Sequence, residues 1–485
     1  MPWSLNRKYE VYRASVRGDL FEGHFAAKYR KYGRTHAIVS PLTGLQKGIN
    51  TIEPENIRCV LATNFDDYKR PEFRSLAAQP MLLPGLFTTD GPVWAHWRGM
   101  VRPQFTRKRF DANVAESERH MQLIFTALGE PGSDGWTGEV NLLDHMYRLT
   151  MDTATQFLFG QSAETQTAAL VRRGLLPPEA YQEAHLDGFD ETFIKAGSYV
   201  GHRIKLSNMY WVYDGVDFRR ACRELYRMVD GYVGSVRAKG REERGGAEVA
   251  EKPSTVIEEM EAQGASQKDM VEQTMHLLVA GMDTSAAALG WVFAMLGAHP
   301  DKYAKLREEV AKVFGTEERR SSVEFSLESV KSCSYLQWCL LETLRLFPAG
   351  PINVREAVRD TILPVGGGED GKSPAAVRKG ARVQLGTYLT HRSKEIWGPD
   401  ADEFRPERWD GRRRGWEYSP FSGGPQICVG QGYTMTQVSF VIARMAMRYD
   451  QIVPAEGSNN EKRSWMTVLT PGDGVNVRLH VACKM

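Results

Sequence analysis

The sequence predicts a mainly α-helical fold with small β-sheets, an α+β chain, and three observations carry that prediction. Apolar residues recur at three- and four-residue spacing through long segments, and strand-like runs are few and short. The 485 residues are 42% hydrophobic and 25% charged, ordinary globular proportions that exclude a disordered or fibrous chain.

In chain order the helical periodicity covers 107–130, 140–160, 217–238, 267–298, 300–314, 327–347 and 431–448. The last carries Met435, Val438, Val441, Ile442 and Met445 on one face. The longest apolar stretch, Ala286–Leu296, contains a glycine and is shorter than the roughly 18–20 residues that span a bilayer. Strand-like runs are His36–Val39 with Gly48–Ile52, Arg382–Leu385, Gln451–Val453 and Val475–His480. Turn clusters at Pro364–Gly371 and Thr470–Gly474 separate them. Arg237–Ser254 is charged, Gly-rich and almost free of large apolar residues, so it reads as a flexible connector within the fold, with an interdomain linker as the alternative.

Lys and Arg number 62 against 60 Asp and Glu, a net charge of +2 that implies no general nucleic-acid affinity. Six cysteines (Cys59, Cys222, Cys333, Cys339, Cys428, Cys483) form no CxxC pair, which excludes a zinc ribbon or disulfide scaffold and points to reduced thiols. The first residues, MPWSLNRKYEVYR, are polar and resemble neither a signal peptide nor an anchor. A large globular protein of intracellular type is the expectation.

The most informative stretch runs from Phe421 through Gly423, Gly424, Pro425 and Cys428 to Gly430, followed at once by the helical pattern. Glycines let a backbone fold tightly around a side chain and turn N–H groups toward it. A sulfur at a helix start also feels the positive end of the dipole, which favours thiolate. Such a loop suits a thiolate that ligates a metal; a buried structural cysteine and a redox or nucleophilic cysteine are the alternatives. The spacing Phe–x2–Gly–x3–Cys–x–Gly decides between them, because it resembles the thiolate loop of the cytochrome P-450 family. That resemblance implies a helical domain with a small β-rich region around one haem b (iron protoporphyrin IX), with Cys428 on the iron and Phe421, Gly424 and Gly430 shaping the loop.

Further motifs stand in the order the family requires. Ala280-Gly281-Met282-Asp283-Thr284-Ser285 interrupts a buried apolar helix with polar and flexible residues, which is costly without a purpose. An acid beside an alcohol can relay the protons that dioxygen needs for O–O cleavage. The resemblance implies that Asp283 and Thr284 do so and that the helix bends at Gly281; a Thr284 hydroxyl bonded back to the previous turn is the alternative. Glu342 and Arg345 share a helix face. By resemblance they are buried, joined by Arg408 of Phe404-Arg-Pro-Glu-Arg-Trp409, and structural in role. Trp94 and Arg98, four residues apart, can both donate to a carboxylate, and the resemblance assigns them, with Arg355, to a haem propionate. Gln426 departs from the family, which commonly has a basic residue two before the cysteine.

These motifs run from Trp94 to Gly430, so one catalytic domain over 1–485 is expected. Asn64–Tyr68, Gly85–Gly91, Asp152–Gly160 and Asp370–Pro374 are similar to the fungal branch that hydroxylates alkanes and fatty acids. The implied enzyme is a haem-thiolate monooxygenase inserting one atom of O2 into a C–H bond of a lipophilic fatty acid, alkane, terpenoid or other secondary metabolite. Leu82, Leu83, Leu86, Phe87, Ala349 and Ile352 are the candidate substrate contacts. Only 57 residues follow Cys428, too few for a flavin domain. Electrons are therefore expected from NADPH through a separate cytochrome P-450 reductase, docked on Arg102, Arg107, Lys108, Arg109 and Arg412–Arg414. A monomer in peripheral contact with the endoplasmic reticulum membrane is expected, with an anchor helix preceding this chain. A haem-thiolate isomerase or dehydratase, or a non-catalytic haem protein, is the alternative, and the intact Asp283-Thr284 pair argues against the first.

Overall fold

The computed structural model describes residues 3–39, 46–105, 107–181, 186–243, 245, 255–317, 320–460 and 462–481. Helices dominate, and among the described residues the strands form four small sheets. The largest sheet orders Thr35–Val39, Gln46–Thr51, Arg382–Leu385, Asn353–Ala357 and Tyr68–Lys69, with the second and third strands parallel. Its inner face forms a separate core with Ile57, Val60 and Leu363.

The helix Gln267–Ala298 runs through the middle of the molecule. Ser266 and Asp269 cap its first turn reciprocally. Its first half, Met270 to Met282, packs in one apolar core with Phe157, Phe189, Phe193, Val229 and Tyr232. Its second half, Ala286 to Leu296, packs in another core with Leu336, Leu340, Val438 and Val441. The helix Leu142–Phe159 crosses it and changes cores at the same place, with Leu142 to Leu149 in one and Met151 to Phe159 in the other. The polar stretch Asp283-Thr284-Ser285 therefore sits where the two cores meet. At that crossing a Cβ on Gly281 would lie 3.0 Å from the Ala154 methyl, tight enough to force the helices apart.

Most periodic segments form as predicted: the segments 267–298, 300–314 and 431–448 are helices over the same residues. Three expectations are corrected. The helix expected over 327–347 is two, Leu327–Ser332 and Ser334–Leu346, because Cys333 is non-helical and the Glu309 carboxylate caps the second by accepting from the Tyr335 and Leu336 N–H groups. The expected connector at 237–254 is helical as far as Glu243: Arg237 bonds to Glu261 and Gln267, and Arg, Ala, Lys and Glu are strong helix formers. The rest of that segment, 244 and 246–254, lies outside the described residues. The turn expected over Pro364–Gly371 is narrower, since Thr361–Gly367 and Ser373–Val377 pair as strands.

Periodicity did not reveal the helices Trp3–Val16, Gly91–Val101 and Phe189–Leu206. The last contains Gly197 and Gly201, which lower its propensity. Gly201 pays for itself by contact, because a Cβ there would meet Met466 at 2.8 Å.

Candidate active site

Cys428 is presented by a loop that its own backbone closes. Its N–H donates to the Phe421 carbonyl at 3.0 Å, and the Ile427 N–H donates to Gly424 at 3.0 Å. Gly424 has φ +66°, and a Cβ there would strike the Leu61 carbonyl oxygen at 1.8 Å. A Cβ on Gly430 would lie 3.9 Å from the sulfur and 3.5 Å from the Phe105 ring. Gly424 thus stands where a side chain would displace the loop, whereas a Cβ at Gly430 would make only ordinary contacts beside the thiol.

The Cys428 side chain lies deep in the molecule yet is accessible, so it faces an internal space rather than packed protein. Burial pushes its thiol up, against the pull of the Gly430 N–H, the Arg98 guanidinium and the Gln431 N–H. The N–H groups at the helix start favour the thiolate as expected, and desolvation is the larger, opposing influence. The other described cysteines, Cys59, Cys222, Cys333 and Cys339, are buried in packed cores.

The central helix offers one accessible stripe. Val279, Ala280, Gly281 and Thr284 are half-exposed where neighbours such as Leu278, Met282 and Ala286 are buried. The helix is continuous over Gln267–Ala298, and Gly281 packs closely on Ala154. The Thr284 hydroxyl donates back to the Ala280 carbonyl at 2.6 Å, which is the alternative reading of that residue. Asp283 turns away from it. One carboxylate oxygen accepts from the Tyr147 hydroxyl at 3.3 Å and the other from the Thr467 hydroxyl at 2.9 Å. Burial raises the Asp283 carboxyl to about 6, with Thr467 and Tyr147 opposing.

Trp94 and Arg98 lie on one helix, Gly91–Val101. The Trp94 ring packs by Phe65, and its indole N–H has no hydrogen-bond partner among the described residues. Arg98 donates to the Ile427 carbonyl at 2.6 Å, gripping the thiolate loop. Arg355 is buried and donates to the Gln426 side-chain oxygen at 3.0 Å, while the Gln426 amide donates to Asp90 at 3.0 Å. Asp90 also accepts from the Arg70 N–H at 2.7 Å and from its guanidinium at 3.1 Å. An amide at 426 therefore bridges a cation to an anion, a task a basic side chain facing Arg355 could not perform.

Arg74 has no hydrogen bond or ion pair through its guanidinium among the described residues. Burial and the nearby Arg70 hold it down at about 10; burial, Arg70 and Arg74 hold Arg355 at about 9. Four guanidiniums (Arg70, Arg74, Arg98, Arg355) thus act on one another with Asp90 as the carboxylate among them. A buried cation without a counter-ion is costly, so the cluster suits a dianionic ligand. The accessible thiol, the accessible helix stripe and this cationic cluster fit a haem with two propionates. Arg70, Arg74 and Asp90 were missed in the sequence; the four-residue spacing of the two arginines was the available signal.

Glu342, Arg345 and Arg408 come together with scarcely any exposure. Arg345 donates to both Glu342 oxygens at 2.8 and 2.9 Å, and Arg408 donates to Glu342 at 3.2 Å. The Trp409 indole and the Arg405 N–H complete five donors to one carboxylate.

The family model for cytochrome P450 matches residues 16–478. The chain belongs to the cytochrome P450 family. Cytochrome P450 monooxygenase g430 from Fusarium sp is 39% identical over 84% of this chain and 70% of its own. Cytochrome P450 52A13 from Debaryomyces hansenii is 36% identical over 93% of this chain and 84% of its own, and cytochrome P450 52A4 from Candida maltosa 35% identical over 89% and 79%. The resemblance read from the motifs is thereby shown, as is the α+β fold of this cytochrome P450, and the enzyme is a P450 monooxygenase.

Of its expected reductase face, Arg102, Arg413 and Arg414 are exposed, whereas Arg412 lies over the Trp397 ring at 4.1 Å. The side chains of Arg107, Lys108 and Arg109 lie outside the described residues. Of the expected substrate contacts, Phe87 is 42% exposed and Leu86 is buried in the core.

Proposed function

We propose that residues 1–485 form one catalytic unit that binds haem b and oxidises a C–H bond of a lipophilic substrate, a fatty acid, alkane or terpenoid. The observation that carries the reading is the accessible thiol of Cys428 inside a loop that glycines hold open. When bound, haem b supplies dioxygen activation and C–H oxidation. Cys428 would ligate its iron, with Phe421, Gly424 and Gly430 fixing the loop. Trp94, Arg98, Arg355, Arg74 and Arg70 would hold the propionates, so Gln426 need supply no charge. Val279, Ala280 and Gly281 keep one wall of the site small. Asp283 and Thr284 handle protons there.

The test is turnover of a panel of dodecanoic acid, hexadecane and a terpenoid alcohol with NADPH, a fungal reductase and isotopically labelled dioxygen. One labelled oxygen in the product supports the reading; turnover without NADPH or O2 overturns it.

Removing a charged donor from a buried anion costs about 1.5–3 kcal/mol. Arg74→Met is therefore expected to weaken haem retention about tenfold to a hundredfold, measured by haem transfer to apomyoglobin. Unchanged retention would take Arg74 out of the haem site.

We further propose that a separate NADPH-dependent flavoprotein docks on the face carrying Arg102, Arg413 and Arg414. Reducing both Arg413 and Arg414 to Gln is expected to flatten the salt dependence of electron transfer; salt dependence that survives would exclude this patch. Exposed Trp211, Val212, Tyr213 and Val216 support peripheral contact with the endoplasmic reticulum membrane, which vesicle sedimentation checks.

A further inference from the structure

Asp283 is a buried carboxyl with two hydroxyl partners and, among the described residues, no cation partner. The hydroxyls come from far away in the chain: Tyr147 from the crossing helix Leu142–Phe159, and Thr467 from the loop between the paired strands Arg463–Trp465 and Leu469–Pro471. Both oxygens of the carboxylate are thus occupied, and neither faces Thr284, whose hydroxyl is bonded to Ala280. Desolvation, Thr467 and Tyr147 are the influences on Asp283; no charged group from the other elements packed on the central helix is among them, including Val216–Glu243, Pro300–Phe314, Ser334–Leu346, Gln431–Arg448 and Tyr449–Pro454.

Tyr147 hydrogen-bonds one carboxyl and feels a second electrostatically. Asp144 lies three residues earlier on the same helix and the same face. Asp144 acts electrostatically on the Tyr147 hydroxyl and is itself exposed. Tyr147 thus hydrogen-bonds the buried Asp283 from a helix turn whose exposed residue is Asp144.

Resting on the reading of Asp283 as the proton-handling acid, we propose that Tyr147 and Thr467 are its positioning residues, and that the proton Asp283 gives up is replaced through Tyr147 from the Asp144 side. The replacement is a hop. The Tyr147 O–H bond breaks as a new O–H bond forms on the Asp283 carboxylate, and water on the Asp144 side gives the Tyr147 oxygen its next proton. Tyrosinate never accumulates, which matters because burial and the neighbouring carboxylates push that phenol far above its ordinary range. Since both hydroxyls favour the ionised carboxylate, deleting either one raises the pH at which Asp283 deprotonates.

Two readouts on the haem-loaded protein test this. The first is the infrared band of the protonated carboxyl, assigned by its loss in Asp283→Asn and titrated with pH. Its midpoint is expected near 6 and to move upward in Tyr147→Phe and in Thr467→Val. The second is turnover of the best substrate in the panel. In Tyr147→Phe, kcat is expected to fall roughly a hundredfold with KM unchanged and a larger solvent isotope effect, the lower end of the scale for a group that transfers a proton. Thr467→Ser keeps the hydroxyl and is expected to restore the midpoint that Thr467→Val moves; this pair carries the test where Tyr147→Phe lowers haem content. An unmoved midpoint in both hydroxyl deletions, or unchanged kcat and isotope effect in Tyr147→Phe while Asp283→Asn is crippled, overturns the proposal. An Asp283→Asn enzyme with wild-type kcat instead overturns the proton-handling reading on which it rests.

Discussion

Cys428→Ala is expected to abolish the thiolate-type absorption band of the reduced, carbon monoxide-treated protein, in a chain that still folds. The loop does not depend on sulfur for its shape. The bonds from Cys428 N–H to Phe421 and from Ile427 N–H to Gly424 are backbone bonds that alanine keeps, and Gly424 still fits against Leu61. The loss is confined to the sulfur and to the Gly430 and Gln431 N–H groups that face it. Leaving such donors unpaired costs about 1–3 kcal/mol, within the net stability of about 5–15 kcal/mol typical of a folded protein. No other described cysteine can stand in: Cys222 and Cys333 are buried, their thiols raised by burial to about 12. An unchanged spectrum in the variant would refute Cys428 as the ligand. Urea unfolding, compared with wild type, separates loss of the ligand from loss of the fold.

How legible this was in the sequence depended on distance along the chain. The Cys428 loop, the Asp283-Thr284 pair and Glu342 with Arg345 are local patterns, and local patterns can be read residue by residue. The propionate cluster could be read only in part. Trp94 and Arg98 share a helix turn and Arg355 was named by the resemblance, but Arg70 and Arg74, which act with Arg355 beside Gln426, come together only in the fold. The partners of Asp283 left no trace, because a tyrosine 136 residues before it and a threonine 184 residues after it form no spacing pattern. The same limit explains the break at Cys333. Periodicity runs on across it, and what starts the second helix is a carboxylate from another helix, Glu309.

Glu342→Ala is expected to be the most destabilising single change in this set. The carboxylate is inaccessible to solvent and accepts from Arg345 twice, Arg408, Trp409 and the Arg405 N–H. Removing it leaves the buried Arg345 guanidinium without an anion and Arg408 with Asp400 alone, and breaking a buried pair in this way costs about 3–5 kcal/mol, a substantial part of a typical folding free energy. The damage also has a route to the thiolate loop. Trp409, released from Glu342, stacks edge-on against Tyr418 with ring centres 4.7 Å apart. Tyr418 donates to the Leu341 carbonyl, and the adjacent Ser419 N–H donates to His391, whose carbonyl is held by Arg345. Phe421, two residues on, closes the loop around Cys428. Loss of holo-protein is therefore expected together with a lowered unfolding midpoint, read by a urea titration that follows both the haem band and tryptophan fluorescence. Glu342→Gln keeps the shape but turns an amide N–H₂ toward donors, so an intermediate loss is expected. Lys312→Ala, which breaks the exposed Lys312–Glu308 pair, should leave both signals unmoved. If Glu342→Ala matched that surface control, the buried network would have no part in holding the loop, because the cost of leaving the Arg345 guanidinium without an anion cannot vanish in a packed interior.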